Sequence, residues 1–257
     1  MRKSASTQYD AAFYRRQRSG SSASASEVVP LVIDLIGPQS VVDVGCGQAP
    51  WLAVFQECGI QDVFGIDGDY VNQDMLAIPR ERFMMKDLNQ PFSLERRFDL
   101  AVSLEVAEHL KPEASADFIR SLTGLSKLVL FSAAIPGQGG TAHINEQWPD
   151  FWVGLFREQG FTLVDCLRDR IWNNGKVEPW YRQNLLLFVE SEHLKSLPLL
   201  KEIAERGADR FVAVVHPEIF WDKGPGMNLL VLLLQCPKTL RLAVGRNRER
   251  LRKLVKR

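Results

Sequence analysis

Two groups of side chains in this 257-residue chain have the types and spacing of working chemistry. The first is Val41-Val42-Asp43-Val44-Gly45-Cys46-Gly47-Gln48-Ala49-Pro50, followed by Gly65-Ile66-Asp67. An apolar run ending in Asp-x-Gly-x-Gly sends a buried strand into a tight turn, where glycines let backbone N–H groups approach a ligand at the start of the next helix. Asp67 closes a second apolar run, where a carboxylate can accept both hydroxyls of an adenosine ribose. The pattern is that of a nucleotide-cofactor site. Pro50, however, stands at the third glycine of the dinucleotide fingerprint, where its ring obstructs pyrophosphate, so a cofactor without pyrophosphate fits better. The second group is Glu105-Val106-Ala107-Glu108-His109, which follows the apolar run ending at Ser103 and Leu104. In a helical turn Glu105, Glu108 and His109 stand at i, i+3 and i+4 and share one side, as an acid/base cluster or as ligands for a divalent metal. His143 lies among small polar residues in the glycine-rich stretch 136–149 and is the first choice for a general base, or for a fourth metal ligand. The plainer alternatives are an ordinary strand-to-helix turn for Gly45 and Gly47, solvated loop carboxylates for Asp67, Asp87 and Asp99, and a loop imidazole bonded to a carbonyl for His143.

Over about residues 40–190 these motifs, in order, resemble the class I S-adenosylmethionine (SAM) dependent methyltransferases. The resemblance implies that Asp43, Gly45, Cys46 and Gly47 line the methionine part of SAM and that Asp67 holds the ribose. It further implies that Asp87, in Met84-Met85-Lys86-Asp87-Leu88, accepts from the adenine amino group while the Leu88 N–H meets a ring nitrogen. Ser103 ends the fourth strand beside the reacting methyl. Glu-x-x-Glu-His at 105–109 looks like the metal motif of small-RNA 2′-O-methyltransferases, which implies Glu105, Glu108, His109 and His143 as ligands. His143-Ile144-Asn145-Glu146-Gln147-Trp148-Pro149, with Trp180-Tyr181-Arg182-Gln183-Asn184, resembles methyltransferases of bacterial surface-polysaccharide pathways. That narrower likeness implies O-methylation of a sugar or glycan precursor, with Trp148, Trp180 and Tyr181 suited to stacking on a sugar face.

Such residues need a scaffold. Apolar runs recur at 40–44, 62–67, 82–86, 98–104, 127–132, 161–167 and 184–190, with helical or loop segments between them. Strands alternating with crossovers predict an α/β, Rossmann-like, seven-stranded, mainly parallel sheet with helices on both faces. The family resemblance adds that the last strand is antiparallel. Ser24-Ala25-Ser26-Glu27 has the capping-box pattern, and Pro30 belongs in a first turn, so a helix is expected from there to about Ile36, after a flexible or capping serine run. The domain reading is an N-terminal helical lid over 1–39, a methyltransferase core over 40–190 and a C-terminal extension over 191–257. In the family likeness Tyr9, Phe13 and Tyr14 of the lid cover SAM. In the extension a helix is expected at 194–206, with apolar runs at 211–215 and 228–235.

Composition bounds the rest. Apolar content of 46% and charged content of 25% are ordinary for a globular protein. There is no apolar leader segment, and no run long enough to span a bilayer. The four cysteines are widely spaced, which argues against a disulfide framework or zinc knot, and a reducing cytoplasm is the expected location. Residues 246–257 carry seven Lys or Arg against Glu249, whereas the remainder has a net charge of −5. A basic amphipathic tail can touch an anionic membrane, while the acidic body disfavours nucleic acid. The leading reading is a SAM-dependent O-methyltransferase acting on a sugar, glycan precursor or small metabolite, activated by a His base or a divalent metal. The alternatives are a metal-dependent RNA 2′-O-methyltransferase and a non-catalytic SAM-fold subunit.

Overall fold

The structure, a computed structural model, describes residues 11–207 and 211–223, with the side chains of 11–19 and 221–223 left out of the description. All seven apolar runs form strands: β1 (Ser40–Val44), β2 (Asp62–Asp67), β3 (Phe83–Met85), β4 (Leu100–Leu104), β5 (Leu128–Ser132), β6 (Phe161–Val164) and β7 (Leu186–Glu190). They make one sheet of order β3-β2-β1-β4-β5-β7-β6. The first five are parallel, and β7 runs antiparallel to both β5 and β6.

Alternation along the strands divides the core into two layers. Val41, Leu100, Val102 and Leu130 face a cluster with α1 (Ala11–Ile36) and α2 (Pro50–Glu57), into which Val28, Trp51, Leu52 and Phe55 are packed. Val42, Val44, Val129 and Phe131 face the other way, toward α3 (Ser115–Leu125) and α4 (Pro149–Glu158), which contribute Phe118, Leu122, Trp152 and Phe156. Phe156 stacks on Phe188 of β7 with ring centroids 3.8 Å apart. Both faces of the sheet are thus covered, and only its strand ends are left for a ligand.

The first helix departs from expectation. It is described from Ala11 onward, so the serine run is helical and Pro30 lies in its interior. The small residues permit this by allowing close approach. Ser24 and Ala25 are fully buried, the Ser24 hydroxyl accepts the Glu178 N–H at 3.0 Å, and the Ser21 and Tyr181 hydroxyls meet at 3.3 Å. These contacts, with burial of Val28, Val29 and Val32, outweigh the backbone bond that Pro30 forgoes. The helix ends at Gly37, whose φ of 61° suits a left-handed cap and whose N–H reaches the Ile33 carbonyl.

Between β6 and β7 lie α5 (Arg168–Ile171), the expected turn around Asn173–Gly175, and α6 (Pro179–Asn184). The single helix expected at 194–206 is two, α7 (Ser191–Leu194) and α8 (Pro198–Gly207), because Pro198 starts a new helix rather than continuing the old one. Residues 211–215 form no strand. Instead Arg168 donates to the Val212 carbonyl at 2.8 Å and the His216 N–H to Gln183 Oε1 at 2.7 Å. A second unit spans Pro217–Arg257, of which α9 (Pro217–Lys223) is described. The 228–235 run, the basic tail, Tyr9 and the side chains of Phe13 and Tyr14 fall outside the described residues. Among the described residues no helix is long and apolar enough to cross a membrane, and Cys46, Cys58 and Cys166 are free thiols.

Candidate active site

The carboxyl ends of β1 and β2 converge on Asp67. After Val44 the chain turns through Gly45 (φ 83°), Gly47 (φ 55°) and Ala49 (φ 60°) into α2, with Pro50 in its first turn, where the missing N–H costs nothing. A Cβ on Gly45 would fall 2.3 Å from Val106, so the turn needs glycine to lie against the loop after β4; Gly47 faces open space. The Gly47 N–H donates to Asp67 Oδ2 at 2.6 Å, and Oδ1 accepts the Gly68 N–H at 2.6 Å and the Tyr70 hydroxyl. Asp67 is buried, which raises its pKa against the lowering effect of Tyr70, Gly68 and Gly47. Burial, and then the Asp67 charge, push the neighbouring Asp43 carboxyl well up. Cys46 is buried beside both, its thiol 3.6 Å from the Gly47 carbonyl. Beyond β3, exposed Asp87 accepts the backbone and side-chain N–H of Asn89 at 2.9 and 3.1 Å, and both donors hold its carboxyl below the ordinary range. Leu88 is buried. Ser103 is fully buried and, among the described residues, its hydroxyl has no hydrogen-bond partner, nor has Oε1 of buried Gln48. Asp99 is away from this site and instead ties β1 to β4, accepting the N–H groups of Gln39 and Ser40.

The second group is arranged differently from the expected helical turn. Glu105 adopts a left-handed conformation (φ 55°), and a 3-10 turn follows over Ala107–His109. The Glu105 N–H is satisfied by the Ser132 carbonyl and hydroxyl at 3.0 and 3.1 Å, so β5 holds this reversal in place. Its carboxylate is also engaged: Oε2 accepts Gln138 Nε2 at 2.9 Å and Oε1 accepts Asn184 Nδ2 at 3.2 Å. Asn184 and Gln183 both donate onward to Gln138 Oε1, at 2.9 and 3.3 Å, which closes an amide network around Glu105.

Glu108 has the opposite character. It is fully buried, and among the described residues neither carboxyl oxygen makes a well-formed hydrogen bond, although the Ala134 backbone and the Glu105 carboxyl lie close enough to act on it. Burial, and then the charge of Glu105, push its pKa well up. Its backbone carbonyl accepts the N–H groups of Ile144 and Asn145 at 2.9 and 3.0 Å, which brings the glycine-rich loop against the 3-10 turn. Asn145 adds bonds to the Ala107 carbonyl and the Ser115 hydroxyl. The rings of His109 and His143 then meet edge to face, with centroids 4.8 Å apart. One donor atom from each of Glu108, His109 and His143 lies within 4.8 Å of the others. His109 is exposed at the surface, yet desolvation by the groups packed around it, and then His143, lower its pKa, partly offset by a bond to the Ala142 backbone. The structure therefore gathers three of the four expected ligands, while Glu105 is occupied by its amides.

Gln138 is given no part by the sequence motifs, and Glu146 and Asn184, although they lie within the quoted motifs, are given no role of their own there. The His-x-x-Glu spacing of 143 and 146 is a sequence signal for Glu146, but nothing local marks the two amides. Among the aromatics suited to a sugar face, Tyr181 is buried edge-on against Trp51 and Trp180 packs on the core, whereas Trp148 is 46% exposed.

Residues 14–164 match the sequence profile of a methyltransferase-domain family, more than half of the chain, and the chain belongs to that family. By family it is a methyltransferase. Solved structures with a similar fold include Streptomyces venezuelae DesVI, 23% identical over 55% of this chain with a TM-score of 0.40; the chain spans 62% of that protein's length. Another is the magnesium protoporphyrin IX methyltransferase of Synechocystis with bound SAM, 23% identical over 67% of this chain and 80% of its own, TM-score 0.47. A third is the methyltransferase domain of a bacterial CtHen1, 18% identical over 65% of this chain and 96% of its own, TM-score 0.47. No curated protein matches the chain in sequence.

Proposed function

We propose that this methyltransferase is a cytoplasmic enzyme that methylates a hydroxyl oxygen of a sugar, glycan precursor or other small metabolite, with the acceptor activated at Glu108, His109 and His143. One observation carries the reading: a buried carboxyl group that makes no well-formed hydrogen bond among the described residues lies with two imidazoles at the carboxyl end of β4, the side of such a sheet on which ligands bind. Orphaned buried carboxylates are expensive, and they persist where a ligand completes them. The donor set of one carboxylate and two imidazoles suits a divalent transition ion. Such an ion supplies Lewis acidity that lowers the pKa of an acceptor hydroxyl.

On the cofactor side, Asp67 suits the ribose, because the hydroxyl of Tyr70 already occupies one of its oxygens as a ribose hydroxyl would. Gly45, Gly47, Asp43 and Cys46 line the methionine end, Asp87 and Leu88 the adenine, and Ser103 the reacting methyl. SAM supplies a methyl group already activated on sulfonium, so the chain's own task is to align the acceptor oxygen and exclude water. A second reading, a metal-free one, rests on His143: its Nδ1 is engaged with Glu146 at 2.9 Å, which leaves Nε2 to take the acceptor's proton. The acidic balance of residues 1–245 supports a small acceptor over nucleic acid, and the basic tail suits contact with an anionic membrane.

Calorimetric titration of wild type and Glu108→Gln with SAM and with Mn²⁺ or Zn²⁺ tests the reading. Ion binding by wild type, lost in the variant while SAM binding persists, supports the ion. Full methyl transfer in the presence of a chelator favours the His143 base. Tight, salt-sensitive RNA binding would overturn the choice of acceptor.

A further inference from the structure

Glu146 reaches back across its own loop. Its Oε2 accepts the Gly137 N–H at 2.8 Å, and its Oε1 accepts the Gly139 N–H at 2.7 Å and contacts His143 Nδ1 at 2.9 Å. One side chain thus closes the loop over residues 137–146 and touches the imidazole at its centre. A carboxylate that accepts two backbone N–H bonds is stabilised as the anion. An ionised carboxylate has no proton to give, so the contact at Nδ1 requires the imidazole to be the donor. Gly140 completes the seat: a Cβ there would lie 2.2 Å from His143 Nε2 and 2.5 Å from its Cε1, so the ring lies against bare backbone.

We propose that Glu146 is the positioning residue of this site: it fixes His143 as the Nδ1–H tautomer, and so keeps Nε2 as the unprotonated nitrogen of a ring that packs against His109. The inference rests on the reading that His143 serves the acceptor site, yet it is indifferent to whether Nε2 holds an ion or takes a proton. In either role the wrong tautomer is inert, because an N–H at Nε2 offers no lone pair. The glycines at 137, 139 and 140 then have one purpose. Two present N–H groups to the Glu146 carboxylate, and the third leaves room for the ring.

The decisive measurement is long-range ¹H–¹⁵N correlation of the histidine rings in the full-length, ion-free protein at neutral pH, with His143 assigned through His143→Gln. Wild type is expected to show a protonated Nδ1 and an unprotonated Nε2. In Glu146→Gln the side-chain amide can donate to Nδ1, so a population with Nε2–H is expected to appear. Mn²⁺ or Zn²⁺ affinity, read by calorimetry, should fall about 10–100-fold with it, as is usual when the partner of a ligating histidine is lost. An Nε2–H tautomer in wild type overturns the proposal without recourse to any variant. So does a Glu146→Gln protein with unchanged ring shifts. Should the variant fail to fold, the wild-type spectrum still decides. If the tautomer is as expected but wild type binds no ion, the ion reading fails while the role of Glu146 stands.

Discussion

Glu108 and Asp67 are both buried carboxylates, yet they stand in contrasting states. Asp67 is surrounded by donors, so replacing it removes bonds that a bound ribose would take over. Hydrogen bonds to charged groups are worth about 1.5–3 kcal/mol each, and Asp67→Ala is expected to weaken SAM binding by roughly 100-fold or more, read by calorimetry. Glu108 makes no well-formed hydrogen bond among the described residues, and in the ion-free protein it is a burden. Glu108→Leu should therefore raise the urea midpoint of the ion-free protein while abolishing ion binding and transfer, the pattern of a group kept for function. A lower midpoint would show that Glu108 is a structural residue. Gly45→Ala combines a left-handed φ with a clash against Val106, and should cost about 2–4 kcal/mol by urea denaturation. Adding Val106→Ala should restore the packing part and leave the backbone part of about 1–2 kcal/mol.

Among the elements, the contrast between the strands and α1 explains how much could be read in advance. Each strand is a short apolar run between breakers, a signal that lies wholly within its own residues, and all seven were legible. The serine run of α1 has no apolar face of its own. It is helical because small side chains let it meet Glu178 and Tyr181, more than 150 positions away, and local pattern carries no trace of such partners. The same holds at the site. The glycine turn, Asp67 and the Glu-x-x-Glu-His run are legible as motifs, but the clasp on Glu105 joins residues 33 and 79 positions apart. The α1–α6 contact also has a pH signature. Burial pushes the Tyr181 hydroxyl from 10 to about 12, so its contribution is complete below pH 10 and is lost as pH rises toward 12. That loss amounts to about 3 kcal/mol at most, by linkage. Tyr181→Phe should therefore lose less stability than wild type between pH 9 and pH 12, measured as the difference in urea midpoints.

At the scale of the whole molecule, α1 is part of the core as much as a cover. Val28, Val29 and Val32 are each at most 1% exposed, and full burial of a valine is worth about 1.5–3 kcal/mol. Their sum is comparable to the entire stability of a typical domain, about 5–15 kcal/mol. Deleting residues 1–36 should thus yield a chain without fixed tertiary structure, seen as loss of the near-ultraviolet circular dichroism; a folded, SAM-binding product would show α1 to be dispensable. The reversed β7 bears on the order in which the enzyme matures. Because β7 runs against β5, it is the start of that strand, with Asn184 and Leu185 just before it, that lies near the carboxyl ends of β4 and β5. During synthesis at about 5–20 residues per second, Asn184 leaves the ribosome on the order of 5–20 seconds after β3. The Gly45–Gly47 turn and Asp67 therefore leave the ribosome while Glu105 still lacks half its clasp, and the cluster after β4 is completed well after the one after β1.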